Sequence, residues 1–370
     1  MSRPLLLALL ATAVLVWLYG AIDVVAYARS GIQYYWPMAD AAPGLDLAQP
    51  QPYVYRWLGP WLAGALPGPS PAGFYGLAVA ASMALAGLMW AVLRADGRTE
   101  RAAALTVVLL AANPYLFGFN VFNHFQLDDV LAQLSVGAGL LALWRGRYAA
   151  MGAVLAVGVL AREPAILLVP VAGVFLWERG RLRADGLRAG LALVPLVVLF
   201  AAPRLLLPTT GGPDLVQTFR NASGKAADPI TWFRLLVNAW APAVALVPVW
   251  PRETLEAVRG RLHLALLGVL VLASAFFGGD QERLMQPAVW AVYPLLAVLV
   301  ERHVAGRRLA EAVLLAAAVL TSLHHITARF PLPSKALKGA LTLAALAAVL
   351  AMALWVRLRV EGSKGDRIEG

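Results

Sequence analysis

The sequence predicts an all-α, polytopic transmembrane protein, and three observations predict it. Apolar residues fill 60% of its 370 positions, and the mean hydropathy is +0.70, too much for a soluble domain of this size to shield from water. Charged residues are scarce, at 14%, and act as breaks between long apolar runs. In lipid every backbone N–H and C=O needs a partner within its own segment, so runs of this length must be helices.

About 11–13 membrane segments follow. The first runs from Leu5 to Ile22, where its length favours a retained helix over a cleaved leader. The next are Gly73 to Leu93, Ala102 to Gly118 and Asp129 to Trp144. Two short runs, Ala149 to Leu160 and Pro164 to Trp177, meet at Arg162-Glu163. Leu187 to Leu207 and Ile230 to Trp250 are the seventh and eighth. Leu262 to Phe277, Pro287 to Val300, Leu309 to Leu323 and Ala336 to Val356 complete the set. One transmembrane domain thus covers residues 1–356, and residues 357–370 form a cytoplasmic tail expected to lack fixed structure.

Loop charge orients the bundle. With the N-terminus in the cytoplasm, about 20 of the 31 Lys and Arg residues fall on the cytoplasmic side, and the C-terminus lies there too. The first outer loop, 23–71, is long and rich in Pro, Tyr and Trp, which predicts interfacial helices at headgroup depth. The excess of Arg over Lys, with abundant Ala, Leu and Gly, points to a GC-rich bacterial genome and so to the inner membrane.

A net charge of +10 would suggest nucleic acid on a soluble chain. Here the basic residues sit in loops facing an anionic bilayer, and no nucleic-acid partner is expected. With no Cys there is no disulfide framework, thiolate metal site or thiol nucleophile.

Ionisable residues at the ends of apolar helices are costly, so each is a candidate. Asp23 closes the first span. Arg56 lies among aromatics in PYVYRWLGPWLAG, where a guanidinium can bind a lipid phosphate bidentately. Asp128 and Asp129 begin the fourth span, suited also to helix capping. Arg162 and Glu163 meet at a proline-led turn between two short segments. Asp280, Glu282 and Arg283 crowd GGDQERLMQP. The orientation puts all of them on the outer side. His324-His325, without nearby carboxylates, makes a poor metal site.

At these residues the chain resembles the type C glycosyltransferases, membrane enzymes that take sugars from polyprenyl-phosphate carriers, and in particular bacterial members. IDVVAYARSG is similar to the family's acidic motif, with Asp23 in the place of the catalytic aspartate and Tyr27 in that of a following aromatic. Val24 stands where many members carry a second acidic residue. PYVYRWLGPWLAG, LAREPAILLVP, QLDDVLAQLSVGAGLLAL and FGGDQERLMQPAVW resemble further segments of such proteins.

The resemblance implies an inverting transfer at the outer face, from a polyprenyl-phosphate-linked sugar to an envelope glycan, lipid or protein. Asp23 would be general base. Arg56, Arg162 and Arg283 would clamp the donor phosphate, and Tyr27, Asp128, Asp129, Glu163, Asp280 and Glu282 would contact substrate or hold those arginines. It allows a divalent cation but requires none. A transporter or lipid flippase, which should show repeats and paired broken helices, is the alternative. A non-catalytic scaffold is the third possibility.

Overall fold

The computed structural model describes residues 2–24, 31–207, 214–323 and 334–365, and among them all regular structure is helical. Tyr27, His324 and His325 lie outside the described residues. The first helix, α1 (Arg3–Tyr19), matches the first apolar run. The long loop holds α2 (Ile32–Asp40) and α3 (Leu58–Gly64), both too short to cross a bilayer. Then come α4 (Ser70–Ala95), α5 (Glu100–Ala111), the single turn α6 (Phe119–Phe122), α7 (Leu127–Trp144), α8 (Tyr148–Gly158) and α9 (Leu168–Glu178). The chain continues through α10 (Leu182–Leu206), α11 (Leu215–Ala227), α12 (Pro229–Leu236) and α13 (Pro251–Arg259). It ends with α14 (Leu262–Ala275), α15 (Gln281–Leu284), α16 (Val289–Leu299), α17 (Arg308–Ser322) and α18 (Lys335–Gly365).

Every apolar run carries helix, but not every run is one helix. Among the described residues four helices are long and apolar enough to cross a membrane, Ser70–Ala95, His124–Trp144, Leu182–Leu206 and Ala336–Val360, and counting two bent pairs makes six. The other expected spans are shorter or interrupted. The third breaks at Asn113, where the side chain caps the N–H groups of Tyr115 and Leu116 and the chain turns by 67°.

The eighth expected span, Ile230 to Trp250, is not a continuous helix. After α12 the chain makes two short 3₁₀ turns, Asn238–Trp240 and Ala243–Leu246, separated by Pro242, which has no N–H to continue a helix. Ala239, Trp240 and Leu246 are buried, and side chains satisfy freed carbonyls: Asn113 Nδ2 donates to Ala239 O at 2.8 Å and Trp240 Nε1 to Leu235 O at 2.9 Å. Irregular backbone at membrane depth survives only under such cover. The tail also departs from expectation, because α18 runs past Val356 to Gly365.

The core ties distant segments together. Trp290 lies against Gly137 of α7, where a Cβ would collide with its ring, and donates its indole N–H to Gln133 O at 2.7 Å. Tyr19 Oη reaches Ala111 O at 2.9 Å and so fastens α1 to α5. Helix α7 gives the molecule two ends, with Asp128 and Asp129 in its first turn and Trp144 in its last, roughly 25 Å apart at 1.5 Å per residue. At the Trp144 end, hereafter the far end, four helix exits use left-handed glycines, Gly97, Gly146, Gly180 and Gly306, each followed by Arg.

Candidate functional site

The opposite end of α7 gathers charge from across the sequence. Its N-terminus suits carboxylates through the helix dipole and free N–H groups. Asp128 and Asp129 occupy that first turn, and both are buried. Asp128 Oδ1 accepts the Gly59 N–H at 2.9 Å, an approach that glycine permits: a Cβ on Gly59 would stand 2.5 Å from that oxygen. This explains the glycine of the YRWLGPW stretch and holds α3 against α7.

Asp129 meets two guanidinium groups. Arg162, leaving α8 in extended backbone, pairs with its Oδ1, and Arg283 Nη1 lies 3.6 Å from its Oδ2. Arg283 also approaches Asp280 at 3.5 Å and lies over the Phe119 ring at 5.5 Å. A neighbouring group centres on Glu163, which accepts three hydrogen bonds from Arg56 at 3.0–3.3 Å and one from Arg204 Nη2 at 3.2 Å. Arg204 is sandwiched between Tyr55 and Phe200, its Cζ 4.5 and 4.1 Å from the ring centroids. On the other flank Glu282 takes a bidentate pair from Arg234, at 2.7 and 2.5 Å, and a bond from Asn238 Nδ2 at 3.1 Å.

Five guanidinium groups and five carboxylates therefore meet at one end of the bundle: Arg56, Arg162, Arg204, Arg234 and Arg283 with Asp128, Asp129, Glu163, Asp280 and Glu282. Their degree of engagement differs. Arg56 and Arg234 are held bidentately, whereas both ion pairs of Arg283 exceed hydrogen-bond length and its buried Nε has no hydrogen-bond partner. Arg283 has donors to offer an incoming anion. Burial disfavours the Arg56 cation, but Glu163 more than offsets this and raises its pKa above the ordinary arginine value. Burial also pushes the half-buried Asp280 carboxyl up, against the opposing pull of Arg283.

Asp23 stands apart in character, because its side chain is exposed. Ile22 N–H donates to Phe122 O at 2.8 Å, which sets Asp23 beside the turn that leads through His124 into α7. Its neighbour Val24 lines a cavity of about 650 Å³ with Ile32, Trp36 and Asp40.

Of the nine charged residues singled out in the sequence, eight join this cluster and Asp23 lies beside it, whereas Arg204 and Arg234 were not anticipated. Both lie inside runs read as apolar spans, and an ionisable residue within a span was the signal that would have found them. Carboxylates are not confined to this end. Asp96, Glu178, Asp185, Glu301 and Glu311 sit at the far end, each in an ion pair.

Among the described residues no three His, Asp or Glu side chains gather to hold a metal ion, so the cation that the resemblance allows has no ligand set here. What the arrangement can do is bind an anion against clustered guanidinium groups, with an exposed carboxylate nearby. No family model, curated protein or solved structure matches the chain.

Proposed function

We propose that this protein is a membrane glycosyltransferase that takes a sugar from a polyprenyl-phosphate carrier at the Asp128 end of the bundle. One observation carries it: residues from four separate sequence motifs join in a single guanidinium–carboxylate cluster, and Arg283 in that cluster keeps unsatisfied donors. Helices long and apolar enough to cross a bilayer support a lipid-borne substrate, and on this reading the cluster works at headgroup depth.

The chemistry is a single inverting displacement. An acceptor hydroxyl attacks the sugar's anomeric carbon as the bond to the carrier phosphate breaks. Asp23, as carboxylate, takes the hydroxyl proton, and its exposure lets a polar acceptor reach it. The departing phosphate gains negative charge, so it needs cations more than an acid. Arg283 is the foremost clamp, with Arg162 beside it and Arg56 held in place by Glu163. Asp280 and Glu282 orient Arg283 and Arg234. The acceptor would be an envelope glycan, lipid or protein, the membrane a bacterial inner membrane, and both termini cytoplasmic.

The test uses full-length protein in detergent with radiolabelled polyprenyl-phosphate hexoses and pentoses, following release of polyprenyl phosphate. Asp23→Asn should lower turnover about 10²–10⁴-fold while preserving the thermal shift given by polyprenyl phosphate. Wild-type turnover in Asp23→Asn overturns the assignment of the base. Absence of both turnover and thermal shift in the wild type overturns the function.

The bent pair Glu100–Ala111 and Pro114–Phe122 favours a second reading, a flippase for the same class of lipid. Translocation of a fluorescent polyprenyl phosphate in proteoliposomes without sugar release would select it.

A further inference from the structure

The far end carries a second feature, unrelated to the cluster just described. Helices α8 and α10 pack at close range because Gly152 has no Cβ: one there would collide with the Ala192 carbonyl. Small residues on this part of α8, Ala150 and Ala153, leave an open groove of about 1130 Å³ against Leu191 and Pro195 of α10. Its long wall is apolar and exposed, and its mouth holds Arg147, Arg181 and Arg188.

The mouth is built rather than accidental. Asp185, buried, accepts a hydrogen bond from Tyr148 Oη at 2.9 Å and pairs with Arg181 at 2.6 Å, so it fixes one guanidinium across two helices. Arg147 and Arg188 have no carboxylate within ion-pair distance among the described residues. Arg181 also borders a second, polar cavity of about 440 Å³ that includes Arg179 and Arg261. A water-soluble anion would gain nothing from the apolar wall, and a neutral lipid nothing from three guanidinium groups. Only a ligand with an anionic head and an acyl chain uses both.

We propose that this groove binds an anionic phospholipid, its phosphate against Arg147, Arg181 and Arg188 and one chain along α8 and α10. Guanidinium forks match phosphate oxygens bidentately, and basic pockets between membrane helices are suited to such headgroups.

Full-length protein in phosphatidylcholine nanodiscs, with and without phosphatidylglycerol, tests this by native mass spectrometry of retained lipid. The wild type should retain phosphatidylglycerol over phosphatidylcholine. Arg147→Gln with Arg188→Gln should weaken that retention about twenty-five-fold, at roughly fivefold per arginine. Ala153→Trp, which fills the groove and leaves its charge intact, should reduce it as well. Both changes fall at exposed positions, so the fold should hold. Equal retention of the two lipids by the wild type, or unchanged retention by the double variant, overturns the proposal. Displacement by inorganic phosphate, with Ala153→Trp behaving as wild type, also overturns it by making the site one for free phosphate.

Discussion

The two ends of the bundle use the same ion pairs in different settings. At the far end several pairs are one to one and partly wet, Arg101 with Glu311, Arg302 with Glu256 and Arg181 with Asp185, and one carboxylate there, Asp96, is shared by Arg98 and Arg261. They staple one helix end to another. At the Asp128 end one carboxylate serves two guanidinium groups, as Asp129 does for Arg162 and Arg283 and Glu163 for Arg56 and Arg204. Asp129 and Arg162 are also almost fully covered. Apolar residues could fill a buried site at equal or lower free energy, so a dense cluster there is poor economy for stability alone. The contrast assigns fastening to the far end's ion pairs and charge presentation to the ion pairs of the other end.

The largest expected effect breaks that contrast directly. Asp129→Ala strands the buried Arg162, removes one of the two carboxylates beside Arg283, and should destabilise the protein by about 3–5 kcal/mol. Glu256→Gln, at a pair exposed on both sides, should leave the unfolding temperature unchanged. Thermal unfolding in detergent measures both. Equal losses would mean that the two ends are not different in kind.

A smaller effect sharpens the geometry. Gly59→Ala puts a methyl group against Asp128 Oδ1 and lengthens or breaks the 2.9 Å bond from the Gly59 N–H. The cost should be about 1–3 kcal/mol, with polyprenyl phosphate binding weakened as α3 shifts. A neutral outcome would show that α3 does not need α7 as its anchor.

How much of this was legible follows from locality. Helix, apolar run and loop charge are properties of neighbouring residues, so the all-α fold and the position of most helices could be read. The far-end turns could be read for the same reason, since Gly and Arg stand next to each other at each. The interruption of 230–250 was harder. Its residues are apolar enough for a span, and one of the bonds that let the backbone stay irregular comes from Asn113, more than a hundred residues earlier. The candidate residues could be named one by one because charge beside apolar helix is conspicuous. Their pairing could not, because Arg56 and Glu163 are 107 positions apart and Arg234 and Glu282 are 48 apart. Arg204 and Arg234 were hidden by treating their segments as uniformly apolar.

The smallest expected effect sets the two ends against each other in acid. His303, at the far end, is stacked on Trp250 at 4.0 Å, and burial lowers its pKa to about 4 despite Glu253. A histidine depressed in the folded state contributes stability above its ordinary 6.5, and that contribution fades as the pH falls toward 4. Asp280, at the other end, has its pKa raised by burial, with Arg283 opposing. A raised carboxyl favours the fold below its ordinary value and loses that contribution as the pH rises through the folded one. Acidification should thus weaken one end while relieving the other. Unfolding temperatures from about pH 7 to about pH 4 should fall less in His303→Phe than in the wild type, and fall more in Asp280→Asn. If both variants track the wild type, neither group titrates differently on folding, and the ends differ in burial without differing in proton affinity.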